Sequence, residues 1–130
     1  MKCIGARGKI AHQLVEDERV GQKEWRARVE EAGRALSLPA PLVGPVSVEI
    51  TFTLLLPKSI KPEHRLWPTV HNSNDLDKMT RLVLDALTGS VFADDSQVVE
   101  LNVRKAYPHT PAPDLTPEGG ALIRLWRTEA

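Results

Sequence analysis

The spacing of apolar positions changes repeatedly along the chain, and each change predicts an element. From Gln22 to Leu36, Trp25, Val29, Ala32 and Leu36 recur at three- or four-residue intervals with charges between them, which predicts an amphipathic helix. The stretch SLPAPLVGP then ends it, because prolines and a glycine break helical hydrogen bonding. From Val46 to Leu56 the period drops to two. Val46, Val48, Ile50, Phe52, Leu54 and Leu56 alternate with Ser47, Glu49, Thr51 and Thr53, predicting a strand with one buried and one polar face. Residues 57–72, PKSIKPEHRLWPTVHN, carry prolines and cations without a period and predict a long exposed loop. A second helix follows, with Met79, Leu82, Val83, Ala86 and Leu87 as its apolar stripe, Lys78, Arg81, Asp85 and Thr88 on its polar face, and Gly89 as its C-terminal cap.

Further strands are predicted from about Val98 to Tyr107 and from about Ala121 to Trp126, joined by the Pro-rich loop PHTPAPDLTPEGG. In the first of these, Val99, Leu101, Val103, Lys105 and Tyr107 share one face, expected to be the core face, while Glu100, Asn102 and Arg104 share the other. Residues 1–20 have little periodicity and predict a short strand and a mobile loop, with no full opening strand. No internal repeat is present. Strands and helices in irregular alternation predict an α+β (α/β) fold. It would have a mixed β-sheet packed against two main helices, in one domain over residues 1–130.

Composition narrows the class. The 130 residues are 42% hydrophobic and 26% charged, as in a soluble globular protein, and no apolar run approaches the roughly 18 residues of a membrane span. Cys3 is the only cysteine, which excludes an intrachain disulfide and a thiolate zinc site and fits a reducing compartment. Formal net charge is zero, but its distribution is uneven. Between Asn74 and Glu100 the acids Asp75, Asp77, Asp85, Asp94, Asp95 and Glu100 face only Lys78 and Arg81, while cations gather before and at Lys58, Lys61 and Arg65. Such a pattern suits a metal at the centre with phosphates at the rim, or simply a mixed, solvated surface.

The acids carry the candidate chemistry. If residues 74–77 are extended, Asp75 and Asp77 point the same way and their carboxylates converge. Like charges held close need a cation between them or a retained proton, and oxygen-only ligands select Mg²⁺ or Mn²⁺. The structural alternative is helix capping, which explains one Asp well. Asp94 and Asp95 lie in a turn, where turn chemistry is the plain reading. By strand parity Asp95 and Gln97 fall on the side of Lys105, provided no bulge intervenes. Lys105 is then either paired with acids or extended to water at the strand end. Arg81, one turn beyond Asp77, is either an ion-pair partner or a phosphate ligand. His12, His64, His71 and His109 lack metalloprotease spacing, and no Gly-rich phosphate loop or nucleophile elbow occurs.

DLDKMTRLVLDALTG followed by FADDSQVVELNVRK resembles the core of the RusA-type Holliday-junction resolvases, including phage and prophage members, from about Asn74 to Lys105. KEWRARV is similar, more loosely, to their first helix. The resemblance implies a RusA-like fold and a Mg²⁺-dependent endonuclease, working as a homodimer on four-way DNA junctions in recombination and repair. It would lie in the cytoplasm of a bacterial or phage-infected cell. It assigns metal binding to Asp75, Asp77 and Asp95, with Asp94 adjacent. Arg81 stands where many members have Lys, and Lys105 matches the family's strand Lys. Lys78 occupies a common Asn position.

The expected mechanism is phosphodiester hydrolysis, with the acids holding Mg²⁺ and with Arg81 and Lys105 stabilising phosphate charge. The loop from Lys58 to Asn72 and the basic N-terminal segment would grip the DNA backbone. Trp67 has two readings, packing over the core or stacking on an unpaired base. The alternatives are a catalytically weak or inactive junction-binding protein, and a metal enzyme acting on a nucleotide or other small phosphoester.

Overall fold

The computed structural model describes residues 10–14, 22–56, 58–69 and 75–128. The expectations for residues 1–9, Cys3, His71 and Asn74 fall outside them. The elements are β1 (Ile10–Leu14), α1 (Gln22–Ala35), β2 (Val46–Thr53), α2 (Leu76–Leu87), β3 (Val98–Ala106) and β4 (Gly120–Arg127). Two short 3₁₀ turns, Pro62–His64 and Asp95–Gln97, sit in the connections. The four strands form one mixed sheet in the order β1-β4-β2-β3. β2 pairs parallel with β3, whereas β4 pairs antiparallel with β1 and β2. The architecture is the α+β arrangement that the pattern predicts.

The helical and strand periods both meet in one core. Trp25, Val29 and Ala32 of α1 and Met79, Val83, Ala86 and Leu87 of α2 bury against Val48, Ile50 and Phe52 of β2 and Ile123 and Leu125 of β4. Gly33 lets the helices approach closely: a Cβ there would lie 3.0 Å from Ser90 Oγ and 3.1 Å from Leu87 Cδ2. α2 ends as its sequence signals, with Gly89 at φ +97° just past the C-cap Thr88.

Burial goes beyond the pattern in two places. The polar face of β2 is covered as well as polar, since Ser47, Thr51 and Thr53 are buried. Ser47 Oγ bonds Glu100 Oε1 and Thr128 Oγ1, both at 2.6 Å, and the Pro-rich loop after β3 folds over the rest of that face. Thr116 N–H donates to Thr53 Oγ1 at 3.1 Å. Arg124 binds Asp114 with both terminal nitrogens, at 2.6 and 2.7 Å, and reaches its cross-strand neighbour Glu49 at 3.1 Å. The second place is β3, and here an expectation is corrected: its odd face is not closed into the core. Val99 is 59% and Leu101 46% exposed. β3 is an edge strand, and the space between its odd face and α2 is open to solvent rather than filled.

The turn before β3 is stapled to the body of the protein. Asp94 Oδ1 accepts from Ser96 N–H at 3.0 Å, and Gln97 Oε1 accepts from Asp94 N–H at 2.9 Å, which closes a capping box. Gln97 Nε2 donates to the carbonyls of Leu42 and Gly44, both at 2.9 Å. Replacing Gln97 with Leu removes all three bonds and leaves carbonyls without their donor. The expected loss is about 1–3 kcal/mol in denaturant unfolding, with faster amide exchange at Asp94, whose N–H loses its acceptor.

The Asp114–Arg124 clamp gives a pH signature. The Arg124 guanidinium holds the Asp114 carboxyl below its usual value. A carboxyl depressed in the folded state contributes stability above its unfolded pKa and loses it as pH falls through the folded one. The stability difference between wild type and Asp114→Asn is therefore expected to be full at neutral pH and to close as pH drops below about 4. Chemical denaturation across that range measures it. A gap unchanged down to full protonation would contradict the clamp.

Candidate functional site

β2 and β3 run parallel, so α2 between them must run the opposite way. This brings the start of α2 to the end where β3 finishes, and brings the turn before β3 to the end where α2 finishes. An open cleft of about 740 Å³ follows α2 between these ends. Its lining includes Asp75, Asp77, Arg81, Asp95 and Lys105, together with Thr80 and the apolar Leu76, Leu84, Leu101 and Val103.

Five residues expected to act together thus share one cleft, although the routes differ from the expected ones. The helix begins at Leu76, so Asp77 lies in its first turn and only Asp75 is extended, at φ −72° and ψ 137°. Asp75 occupies the N-cap position but its side chain makes no capping hydrogen bond, so the capping explanation does not account for it. Its carboxylate instead lies 3.6 Å from Lys78 Nζ, with both groups exposed. The parity argument for Asp95 also fails in its premise. A register shift interrupts the β2–β3 pairing between Val46 and Ser47, and residues 95–97 form a 3₁₀ turn. Asp95 reaches the cleft through that turn, while Gln97 goes to the staple described above.

The acids are spread along the cleft rather than gathered. Partial desolvation, then Asp94 and the like charge of Asp85, push the Asp95 carboxyl above its usual value. Asp85 is in the last turn of α2, eight residues from Asp77, or about 12 Å along the helix. Accordingly, no three His, Cys, Asp or Glu residues among those described come together as a ready metal cluster. Asp94 does not line the cleft. Its carboxyl is held below its usual value chiefly by the Ser96 N–H, which assigns it to the turn.

The donor set still suits a hard cation. Mg²⁺ commonly takes one or two protein carboxylates and completes its shell with water and substrate phosphate. Asp75 and Asp77, exposed at the head of α2, offer such a pair, and neither is committed to a capping bond. Among the described residues Arg81 makes no ion pair with Asp77, so the ion-pair reading of that arginine is not realised, and its guanidinium is presented to the cleft. Lys105 is half-buried at the same end.

The sequence reading missed Leu76, Thr80, Leu84 and the open setting of Leu101 and Val103. Helix arithmetic could have found the first three, since residues 76, 80 and 84 and residues 77, 81 and 84 form rows down one side of α2. Thr80 Oγ1 donates to Leu76 O at 2.8 Å, which lets a hydroxyl sit on a half-buried wall.

No helix among the described residues is long and apolar enough to cross a membrane. Over residues 5–115 the chain matches the family model described as endodeoxyribonuclease RusA. It is 34% identical over 79 residues to the uncharacterized protein YqaN of Bacillus subtilis (strain 168), an alignment covering 54% of each chain. The chain therefore spans about half the length of that curated relative. The family match runs from β1 through β3 and so takes in every residue that lines the cleft, not the acidic helix alone; the chain belongs to the RusA endodeoxyribonuclease family.

Proposed function

We propose that this protein is a divalent-cation-dependent endodeoxyribonuclease that resolves four-way DNA junctions as a homodimer. One observation carries the reading: Asp75, Asp77 and Asp95 line the same cleft as Arg81 and Lys105. Anionic ligands for a cation and cationic ligands for a phosphate are then presented to one volume large enough for a nucleotide-sized group. Membership of the family supports the substrate.

Asp75 and Asp77 are the principal cation ligands, and Asp95 faces the cleft from its far end. Mg²⁺, or Mn²⁺ in its place, supplies Lewis-acid neutralisation of a phosphate oxygen when bound. Arg81 and Lys105 hold the phosphate and stabilise the negative charge that grows on it during displacement. Arg81 does this as a fixed cation, because a guanidinium neither gives nor takes a proton at working pH. Leu84, Leu101 and Val103 give one side of the open cleft an apolar wall against which a bound group would rest.

The outer edge of β3, unpaired among the described residues, together with Val99, exposed on the face beside it, is the surface assigned to the second copy. Exposed apolar edges invite strand pairing or cover, and a two-fold junction requires paired cuts.

The competing reading is a junction-binding protein that cuts weakly or not at all. It is favoured by the Lys78–Asp75 contact and by the spread of the acids along the cleft. Cleavage of a synthetic four-way junction with and without Mg²⁺ separates the two. Asp77→Asn is expected to lower Mg²⁺-dependent cutting at least about 100-fold, within the range for loss of a positioned charge in an active site, while junction affinity stays within about two-fold. Full cutting by that variant, or metal-independent cutting by wild type, would falsify the metal assignment. For the dimer, Val99→Arg is expected to shift the sedimenting species from two chains towards one; an unchanged dimer would move the interface elsewhere.

A further inference from the structure

The loop from Lys58 to Thr69 ends in two large apolar side chains that are not closed into the core: Leu66 is 50% and Trp67 42% exposed. Part of the Trp67 ring rests on the protein, and the rest is open to a ligand. The backbone beneath them is nonetheless pinned. His109 Nε2 lies 2.7 Å from Arg65 O, and Thr110 Oγ1 donates to Leu66 O. Arg65 Nη1 donates to Thr69 Oγ1 at 3.0 Å, and Thr69 N–H donates to Trp67 O at 2.8 Å. Pro68, the next residue, is fully buried, and His109 is itself stacked on buried Tyr107 with ring centroids 5.4 Å apart. The tip is rigid in its main chain and bare in its side chains.

Its position is also defined. The anchor His109 follows the cleft residue Lys105 by four positions, at most about 14 Å of extended chain. Around the tip, Lys58, Lys61 and Arg65 outweigh the single acid Glu63. A rigid exposed indole flanked by cations beside a phosphate-binding cleft matches the chemistry of a single-stranded nucleic-acid platform, with backbone held by charge and a base held by stacking.

We propose that Leu66 and Trp67 form a wedge that stacks on an unpaired or unstacked nucleobase next to the phosphate held in the cleft, and that this contact selects branched over linear DNA. The inference rests on the nuclease reading above. In a linear duplex every base is already stacked on its neighbours, and freeing one is costly, so the wedge gains nothing there. At a branch point the stacking is already interrupted, and the indole face replaces what was lost.

The test uses the full chain with EDTA present, so that binding is read without cutting. Wild type, Trp67→Ala, Trp67→Phe and Leu66→Ser are titrated onto a four-way junction carrying 2-aminopurine at the branch and onto a linear duplex of the same sequence. Trp67→Ala is expected to weaken junction binding roughly ten-fold or more and to abolish the 2-aminopurine response, with duplex affinity unchanged. Trp67→Phe keeps most of both signals, and Leu66→Ser falls between. Equal losses on junction and duplex, or no loss on either, overturn the wedge while leaving the nuclease reading intact. If wild type itself shows no preference for the junction, the junction reading fails and the wedge with it.

Discussion

The parallel pairing of β2 with β3 is the constraint from which the site follows. A parallel pair cannot be joined by a tight turn, so the chain must cross the sheet, and α2 is that crossing. Because α2 returns against the strand direction, its acidic first turn and the lysine near the end of β3 are brought to one end of the sheet. Asp95, which opens β3, is fixed at the other. The core residues Met79, Val83, Ala86 and Leu87 hold the helix down on one side. The opposite side, left unfilled next to an edge strand, becomes the cleft. Site and fold are thus products of the same crossover.

That geometry also explains why the carboxylates are strung along a helix instead of clustered. Asp95 experiences Asp94 and Asp85 rather than the pair at the head of α2. The apolar share of the lining, from Leu76, Leu84, Leu101 and Val103, has a related origin. These are residues that would have been core had another layer covered β3.

Much of this was legible in the sequence, and the losses have physical causes. Periodicity placed both helices and β2, β3 and β4 correctly, because Val29, Val83 and Ile50 have one stable destination each. Period-two reasoning gave the sharing of a face by Leu101, Val103 and Lys105 but not its exposure. Parity reports direction, whereas burial depends on what lies opposite. The same limit hid the covering of Thr51 and Thr53. A Pro-rich loop has no period to read, and what draws it over the sheet is a pair of specific contacts, the Arg124–Asp114 clamp and the Thr116 N–H bond to Thr53 Oγ1. Asp75, Asp77 and Asp95 were singled out by residue type and spacing and do line one cleft, while the local backbone assumed for them was wrong at both places. A helix start is set by a residue or two, and a 3₁₀ turn leaves no period to read.

Lys78 remains the residue on which the balance between cutting and mere binding turns. Its ammonium lies where it partly neutralises Asp75, at 3.6 Å, and a permanent internal cation would make a divalent ion redundant. The pair is, however, exposed on both sides and made by a flexible four-carbon stem. Such ion pairs contribute little and are readily exchanged. A divalent ion held by Asp75 and Asp77 together would gain from both carboxylates at once, whereas Lys78 engages Asp75 alone. Lys78 is therefore an exposed, exchangeable counterion of Asp75, and its contact does not close that carboxylate to another cation.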